Sequence, residues 1–134
     1  MTNSTIKTLS VSRVDDIEAE AWNRLVPDDA PFVQHAFLAN LERSGCVGGS
    51  TGWTPDIQLL YTQPPDGEEE LIGAVPLYLK DHSAGEFVFD WAWADAAQRA
   101  GIQYYPKAVV GVPFTPVTGP RLLVSDSIDD PGDI

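Results

Sequence analysis

The sequence predicts an α+β fold in which helices pack on a mainly antiparallel sheet. Apolar patterns along the chain follow the order strand, two helices, two strands, helix, two strands, and that order is typical of α+β domains. The length of 134 residues suits one domain, and no repeat or linker divides it. We therefore predict a single domain over residues 1–124, followed by an acidic, disordered tail over residues 125–134.

The first half of the chain is predicted to contain a strand and two helices. Alternating apolar residues predict a short, half-buried strand over residues 6–11. Apolar residues at helical spacing predict a helix over residues 14–26, which Pro27 ends. A second helix is expected to begin near Pro31 and to end at Gly45, because glycine suits a left-handed cap.

The second half is predicted to be richer in strands. Residues 56–62 and 71–80 are expected to pair as antiparallel neighbours, with an irregularity at Pro76 because proline lacks a backbone donor. Asp90 is expected to cap the N-terminus of a helix of about three turns that Gly101 ends. The remaining extended segments are predicted over residues 86–89, 107–112 and 121–124.

Composition and charge limit the partners. The formal net charge is −12 and the pI is near 4.2, whereas binding to phosphates needs clustered Lys and Arg. A single cysteine, Cys46, excludes an intramolecular disulfide and suits the cytoplasm. No apolar run reaches the roughly 18 to 20 residues that span a bilayer. We expect a cytoplasmic protein that binds neither DNA nor a membrane.

One stretch, residues 73–123, differs from the rest of the chain. It contains eight of the thirteen aromatic residues, and its four cations balance its four anions, so the net charge lies elsewhere. It also contains His82. A neutral, aromatic, histidine-containing segment in an acidic chain is a candidate pocket wall.

The ionisable side chains give few catalytic candidates. Two histidines and one cysteine offer no paired ligands at zinc spacing, so no metal site is predicted. His82 lies in a loop near Glu86 and suits proton transfer or ligand binding; the alternative is a structural histidine that ties the loop down. His35 is interpreted as structural and Cys46 as an inert thiol.

Two rigid, proline-containing loops carry cations. Tyr105 and Lys107 flank a proline, and Arg121 follows the proline-rich run 113–120. If these loops converge on the His82 loop, they could bind a carboxylate or a phosphate. The alternative for each cation is a surface salt bridge.

A series of short motifs between Trp22 and Leu123 carries a family resemblance. The motifs are Pro31-Phe32, Phe37-Leu38, Leu41-Glu42-Arg43-Ser44-Gly45, Gly52-Trp53-Thr54-Pro55, Val75-Pro76-Leu77-Tyr78-Leu79-Lys80, His82-Ser83-Ala84-Gly85-Glu86, Phe89-Asp90-Trp91-Ala92-Trp93-Ala94-Asp95-Ala96, Tyr104-Tyr105-Pro106-Lys107, Pro113-Phe114-Thr115-Pro116-Val117 and Gly119-Pro120-Arg121-Leu122-Leu123. With these motifs the chain resembles the N-terminal part of the bacterial FemAB-like predicted N-acyltransferases, a GNAT-type family.

The resemblance implies a GNAT-like fold and transfer of an acyl or aminoacyl group to an amine. The implied donors are acyl-CoA, such as acetyl-CoA, or aminoacyl-tRNA, and the implied acceptor is a small-molecule amine or a peptide. Family members are longer and have a second GNAT-like half, so residues 1–124 are expected to be the N-terminal part of an incomplete domain. The anionic donor is then expected to bind the missing C-terminal half, with no cofactor held by this chain alone.

With that resemblance, residue roles can be assigned as hypotheses. His82 or Glu86 is assigned to proton handling, since aminolysis must remove a proton from the amine. Asp90, Trp91 and Tyr105 are assigned to binding and orienting the acceptor, and Lys107 or Arg121 to an acidic group on it. The alternatives are a non-catalytic acceptor-binding module and an inactive truncated fragment.

Overall fold

A computed structural model describes residues 5–128 and confirms the α+β class. Within those residues lie seven strands and three α-helices. The strands form two antiparallel sheets of four and three strands, whereas the sequence suggested one sheet. The predicted tail falls largely on residues 129–134, which lie outside the described residues. Before them, Ser125 N–H donates to Ile72 O at 2.8 Å.

The first sheet has the strand order β1-β3-β4-β7. The predicted first strand is present, but it is largely exposed and not half buried. It lies at the edge of the sheet, and within residues 5–128 its one partner strand is β3, so little of its surface is covered. The strands are β1 (Thr5–Val11), β3 (Ile57–Gln63), β4 (Glu70–Val75) and β7 (Leu123–Val124).

The second sheet has the order β2-β5-β6. Its strands are β2 (Trp53–Pro55), β5 (Leu77–Lys80) and β6 (Lys107–Val110). The prediction of one strand over residues 71–80 was wrong, because the chain leaves the first sheet at Pro76 and enters the second as β5. Proline cannot donate to a ladder, and here it marks the transfer between sheets. The three-residue strand β2 was not predicted.

The predicted helix over residues 14–26 is broken in two. A 3₁₀ turn covers Val14–Asp16, Ile17 is extended with φ −108° and ψ 136°, and α1 covers only Ala19–Asn23. The break has a tertiary cause, because His35 Nε2 lies 2.9 Å from both Val14 O and Ile17 O. Those contacts replace helical hydrogen bonds and place both apolar side chains in the core.

Two nine-residue helices complete the fold. Helix α2 (His35–Arg43) follows a 3₁₀ turn at Pro31–Val33 and ends before Gly45, whose φ is +75°. Helix α3 (Trp91–Arg99) has no buried residue. Within residues 5–128, none of the helices has the length and apolar character needed to cross a membrane. The largest fully buried apolar side chains are Trp22, Leu38, Ile57, Tyr78 and Leu123.

Candidate functional site

Two lysines lie directly opposite each other at one end of the second sheet. Lys80 is the last residue of β5 and Lys107 the first of β6, and they form a cross-strand pair. Like charges in such a pair repel. The carboxylate of Glu86 lies between them, with Oε2 at 2.9 Å from each Nζ. The pair of lysines therefore organises a buried ionic cluster around one carboxylate.

Lys80 is the innermost member of this cluster. Its side chain is fully buried, and its Nζ donates to Glu86 and to the carbonyl oxygen of Ala84. The same Nζ lies 3.9 Å from the centroid of the Trp53 ring, a favourable position for a cation. Because its surroundings are protein groups alone, Lys80 acts as a structural cation.

Lys107 has no donor left for a ligand. An ammonium carries three N–H donors, and Lys107 Nζ donates to Ser83 Oγ at 2.9 Å, to Glu86 Oε1 at 2.9 Å and to Asp90 Oδ2. Burial alone would lower the pKa of Lys107, but hydrogen bonds to Asp90 and Glu86 raise it overall. Lys107 therefore stays charged and holds three acceptors in fixed positions.

Asp90 leaves one acceptor atom unused. It stands at the N-cap position of α3, but the predicted capping bond is absent. Instead, Oδ2 accepts hydrogen bonds from Lys107 and from the Tyr104 hydroxyl, the latter at 2.6 Å. Oδ1 is buried and has no partner among the described residues. Two other buried side-chain atoms among the described residues lack a partner, Trp53 Nε1 and Tyr78 OH. Of these three atoms, Asp90 Oδ1 is the one that belongs to a carboxylate.

The charge state of Asp90 follows from its neighbours. Burial alone would raise its pKa, but the hydrogen bonds from Lys107 and Tyr104 and the charge of Lys107 lower the pKa overall. Asp90 is therefore a carboxylate at neutral pH. With two ammoniums and two carboxylates, the cluster is neutral as a whole.

Two tyrosines complete the cluster on the side of α3. The Tyr105 hydroxyl lies 2.6 Å from the oxygen of the buried Ser83 hydroxyl. The rings of Tyr104 and Tyr105 pack edge to face with centroids 5.1 Å apart. With Trp91 they line a groove along α3. Tyr105 thus joins Glu86, Asp90 and Lys107, as the sequence suggested.

His82 points away from this cluster. Ala84 N–H donates to its Nδ1 at 3.1 Å, so Nε2 carries the ring proton and donates to Thr51 O at 3.0 Å. Both ring nitrogens are bonded to backbone groups. The imidazole therefore ties its loop to the chain around Thr51, which is the structural alternative recognised in the sequence.

Arg121 and Trp91 lie at the edges of the site. Arg121 donates to Val117 O at 2.8 Å and to Pro120 O at 3.1 Å, and it shares an open surface groove with Glu86. Trp91 is half exposed and stacks on Phe89 with centroids 6.5 Å apart. The segment 86–89 bends and forms no strand, which turns Glu86 inward while Phe89 stays exposed.

Three members of the cluster were missed from the sequence. Lys80 lies two residues after the buried Tyr78 in β5. Side chains two residues apart in a strand share a face, so the strand period could have predicted that Lys80 is buried as well. Ser83 and Tyr104 carry no pattern of their own; only the tertiary fold brings them together. The structural assignment of His35 agrees with the structure, since it is buried against backbone carbonyls. Cys46 is a free thiol that is exposed and not buried, and its inertness stays a prediction. Within residues 5–128, no group of three or more potential ligands could hold a metal ion.

Comparison with known proteins identifies the family of the chain. The family model FemAB_like, described as peptidoglycan biosynthesis/recognition, matches residues 13–132. No curated protein and no solved structure gives a significant match. The family match covers most of the chain and includes every residue of the ionic cluster. The chain therefore belongs to the FemAB-like family.

Proposed function

We propose that this chain carries the acceptor-binding wall of a GNAT-type N-acyltransferase, which transfers an acyl or aminoacyl group to an amine. The observation that carries the proposal is the unpartnered, buried oxygen Asp90 Oδ1. Every N–H of Lys107 is already donated, and Tyr104 donates to Asp90. The remaining hydrogen-bonding capacity is that of an acceptor, so the complementary ligand group is an N–H donor.

The ionic state of Asp90 supports an ammonium or amine as that donor. The lowered pKa keeps the carboxylate charged, and charge-assisted hydrogen bonds are stronger than neutral ones. Tyr105 lies on the same side through its contact with Ser83 and orients the bound amine together with Asp90. Trp91 lines the neighbouring groove and packs against the body of the acceptor.

In this proposal Glu86, and not His82, handles the proton. Both ring nitrogens of His82 are engaged with the backbone, whereas Glu86 lies within the cluster beside Lys107 and Ser83. The neutral amine nitrogen attacks the carbonyl carbon of the acyl ester or thioester, and its proton passes to Glu86. The C–O or C–S bond then breaks, and Glu86 returns the proton to the oxygen or sulfur, which leaves as an alcohol or thiol. Lys80 and Lys107 position the carboxylate for that transfer.

The family supports the proposed donor. FemAB-like proteins point to an aminoacyl-tRNA donor, with acyl-CoA as the GNAT-type alternative, and the acceptor in this proposal is a small amine or a peptide. The chain has a formal charge of −12, so an anionic donor is expected to bind a second half of the protein. Arg121, with donors left over, would bind an acidic group of the acceptor.

The test is a transfer assay in which the protein, with its second half present, is mixed with labelled alanyl-tRNA or acetyl-CoA and a panel of amines. Amide formation is expected, and Glu86→Gln should reduce its rate by about 100-fold or more, as loss of a general base does. His82→Gln should retain most of the rate. Loss of activity in His82→Gln with Glu86→Gln unaffected would contradict the assignment of roles.

A second candidate function is recognition of an amine without transfer. The family description includes recognition as well as biosynthesis, and the unpartnered oxygen of Asp90 needs only a bound amine. The same assay separates the two functions. Amine binding that depends on Asp90, with no amide formed from either donor, would favour the binding module.

A further inference from the structure

The outer edge of the second sheet is open beside the ionic cluster. Strand β6 pairs with β5 on one side, and no strand among residues 5–128 pairs with it on the other. Its first residue is Lys107, a member of the cluster. Open sheet edges accept additional strands unless they are short, charged or covered.

The register shows which backbone groups face outward. Gly111 N–H donates to Pro76 O at 3.1 Å, and Val110 stands opposite Leu77. In an antiparallel ladder these two facts make Val110 and Leu77 a non-hydrogen-bonded pair. The N–H and C=O groups of Ala108 and Val110 therefore point away from β5, towards the open edge. Both residues are exposed.

A groove of about 330 Å³ follows this edge. Four consecutive residues, Val109 to Val112, line it, so it runs along the backbone and not along one face of the strand. Exposed Phe87 and Val88 form one side, with exposed fractions of 59% and 86%. Apolar walls beside unpaired backbone groups suit an extended peptide.

The two ends of the groove carry side chains of opposite charge. Glu86 lines the groove and bonds Lys107 at the start of β6. Arg121 lines the other end, where its Nε would lie 4.0 Å from a Cβ built on Gly111. An arginine has five N–H donors, and two of those of Arg121 are used by Val117 O and Pro120 O. Three donors remain for a carboxylate.

We propose that an extended peptide adds to the open edge of β6 as a further strand, with its amine at the cluster and its carboxylate on Arg121. This deepens the proposed function by naming the acceptor as a peptide and rests on it for the identity of the amine site. With the amine at the Glu86 end of the groove, level with Lys107, and the carboxylate level with Gly111, the peptide runs parallel to β6. The distance is about four steps of roughly 3.3 Å, which is the span of a pentapeptide.

The experiment is NMR titration of the ¹⁵N-labelled protein with the peptide Gly-Val-Thr-Val-Ala, whose β-branched residues favour the extended form. The amide signals of Ala108 and Val110 should shift on saturation, while that of Val109, which faces β5, should shift little. Peptides methylated on the backbone nitrogens of alternate residues serve as matched controls. One of the two alternating sets should bind about tenfold more weakly, because its methyl groups remove hydrogen bonds to β6, while the other binds unchanged.

The carboxylate end is tested by a double comparison. Arg121→Gln should weaken binding of the peptide with a free C-terminus and leave binding of its amidated form unchanged. The protein keeps its fold if the other amide signals do not move. Unshifted signals of Ala108 and Val110, or equal binding of both methylated sets, would overturn the proposal.

The outcome separates this inference from the proposed function. If n-butylamine binds in an Asp90-dependent way while the peptide leaves Ala108 and Val110 unshifted, the peptide groove is wrong and the amine site stands. If the peptide shifts those signals but n-butylamine binds Asp90→Asn as well as the original protein, the groove stands and the amine site is wrong.

Discussion

Helices α2 and α3 have the same length but opposite roles. Each has nine residues and an apolar stripe, yet α2 buries His35, Leu38 and Ala39, whereas α3 buries none of its residues. Trp93 on α3 is 73% exposed, while Leu38 on α2 is 0% exposed. The comparison teaches that an apolar stripe predicts a helix but does not tell whether the protein covers that stripe.

The polar groups near the two helices differ in whether they have hydrogen-bond partners. Around α2, the ring of His35 is bonded to backbone carbonyls, and the carboxylate of Glu42 accepts from Val14 N–H at 2.9 and 3.1 Å. Around the start of α3, an ionic cluster holds the chain together and leaves the buried Asp90 Oδ1 without a hydrogen-bond partner among the described residues. The α2 region therefore maintains the fold, and the α3 region offers a site.

The largest expected effect is a loss in the free energy of unfolding when a lysine of the ionic cluster is replaced. Lys80→Met removes a fully buried ammonium and leaves part of the charge on Glu86 uncompensated, so we expect a loss of about 4 kcal/mol in the free energy of unfolding. Urea unfolding measures it. Lys7→Met is the matched control, because the Lys7–Glu69 pair is exposed and should cost less than about 1 kcal/mol. Equal losses in the two variants would show that the cluster does not stabilise the fold.

The next effect contrasts the two helices directly. Leu38→Ala leaves a cavity in the core and should lower the free energy of unfolding by about 3 kcal/mol. Trp93→Ala on α3 should change it by no more than about 0.5 kcal/mol, since most of the side chain is in solvent. A comparable loss from Trp93→Ala would mean that α3 is covered in solution, and the contrast between the helices would fail.

A smaller effect is expected in the pH dependence of stability. The pKa of Asp90 is lower in the folded state than its usual value, so its contribution is present above the unfolded-state pKa of about 3.9 and is lost as the pH falls below it. Asp90→Asn should flatten the acid limb of a stability profile measured by thermal unfolding at a series of pH values. Asp95→Asn, an exposed position on the same helix, is the reference. An unchanged acid limb in Asp90→Asn would show that Asp90 is not stabilised by the ionic cluster.

The smallest effect concerns the surface of α3. Asp95 and Arg99 form an exposed pair four residues apart. Arg99→Ala should cost no more than about 0.5 kcal/mol, and added salt should remove the difference. A loss that persists in high salt would indicate that Arg99 has a further partner.

The sequence predicted the types of most elements because their signals are local. Gly45 and Gly101 adopt positive φ where helices end, and α2 follows its apolar stripe. The errors come from tertiary contacts that override local preference. His35 breaks the first predicted helix at Ile17, and Pro76 moves the chain from one sheet to the other.

The candidate site could be predicted only in part for the same reason. Glu86, Asp90, Tyr105 and Lys107 were found because they lie in short motifs rich in aromatic and charged residues, and the fold brings them together. The role of His82 depended on where its ring points, which two backbone contacts decide. The buried position of Lys80 depends on its cross-strand neighbour, Lys107. These two residues are far apart in the sequence, so the sequence alone does not reveal that they pair.

The central claim is that Asp90 Oδ1 accepts the amine of the acceptor, and titration with n-butylamine tests it most directly. The ¹³C signal of the Asp90 carboxyl carbon should shift to saturation with n-butylamine and not with butyrate, because the open group is an acceptor. Binding should be lost in Asp90→Asn and retained in Asp95→Asn. Saturable binding of butyrate at this carboxyl, or unchanged binding of n-butylamine by Asp90→Asn, would contradict the account.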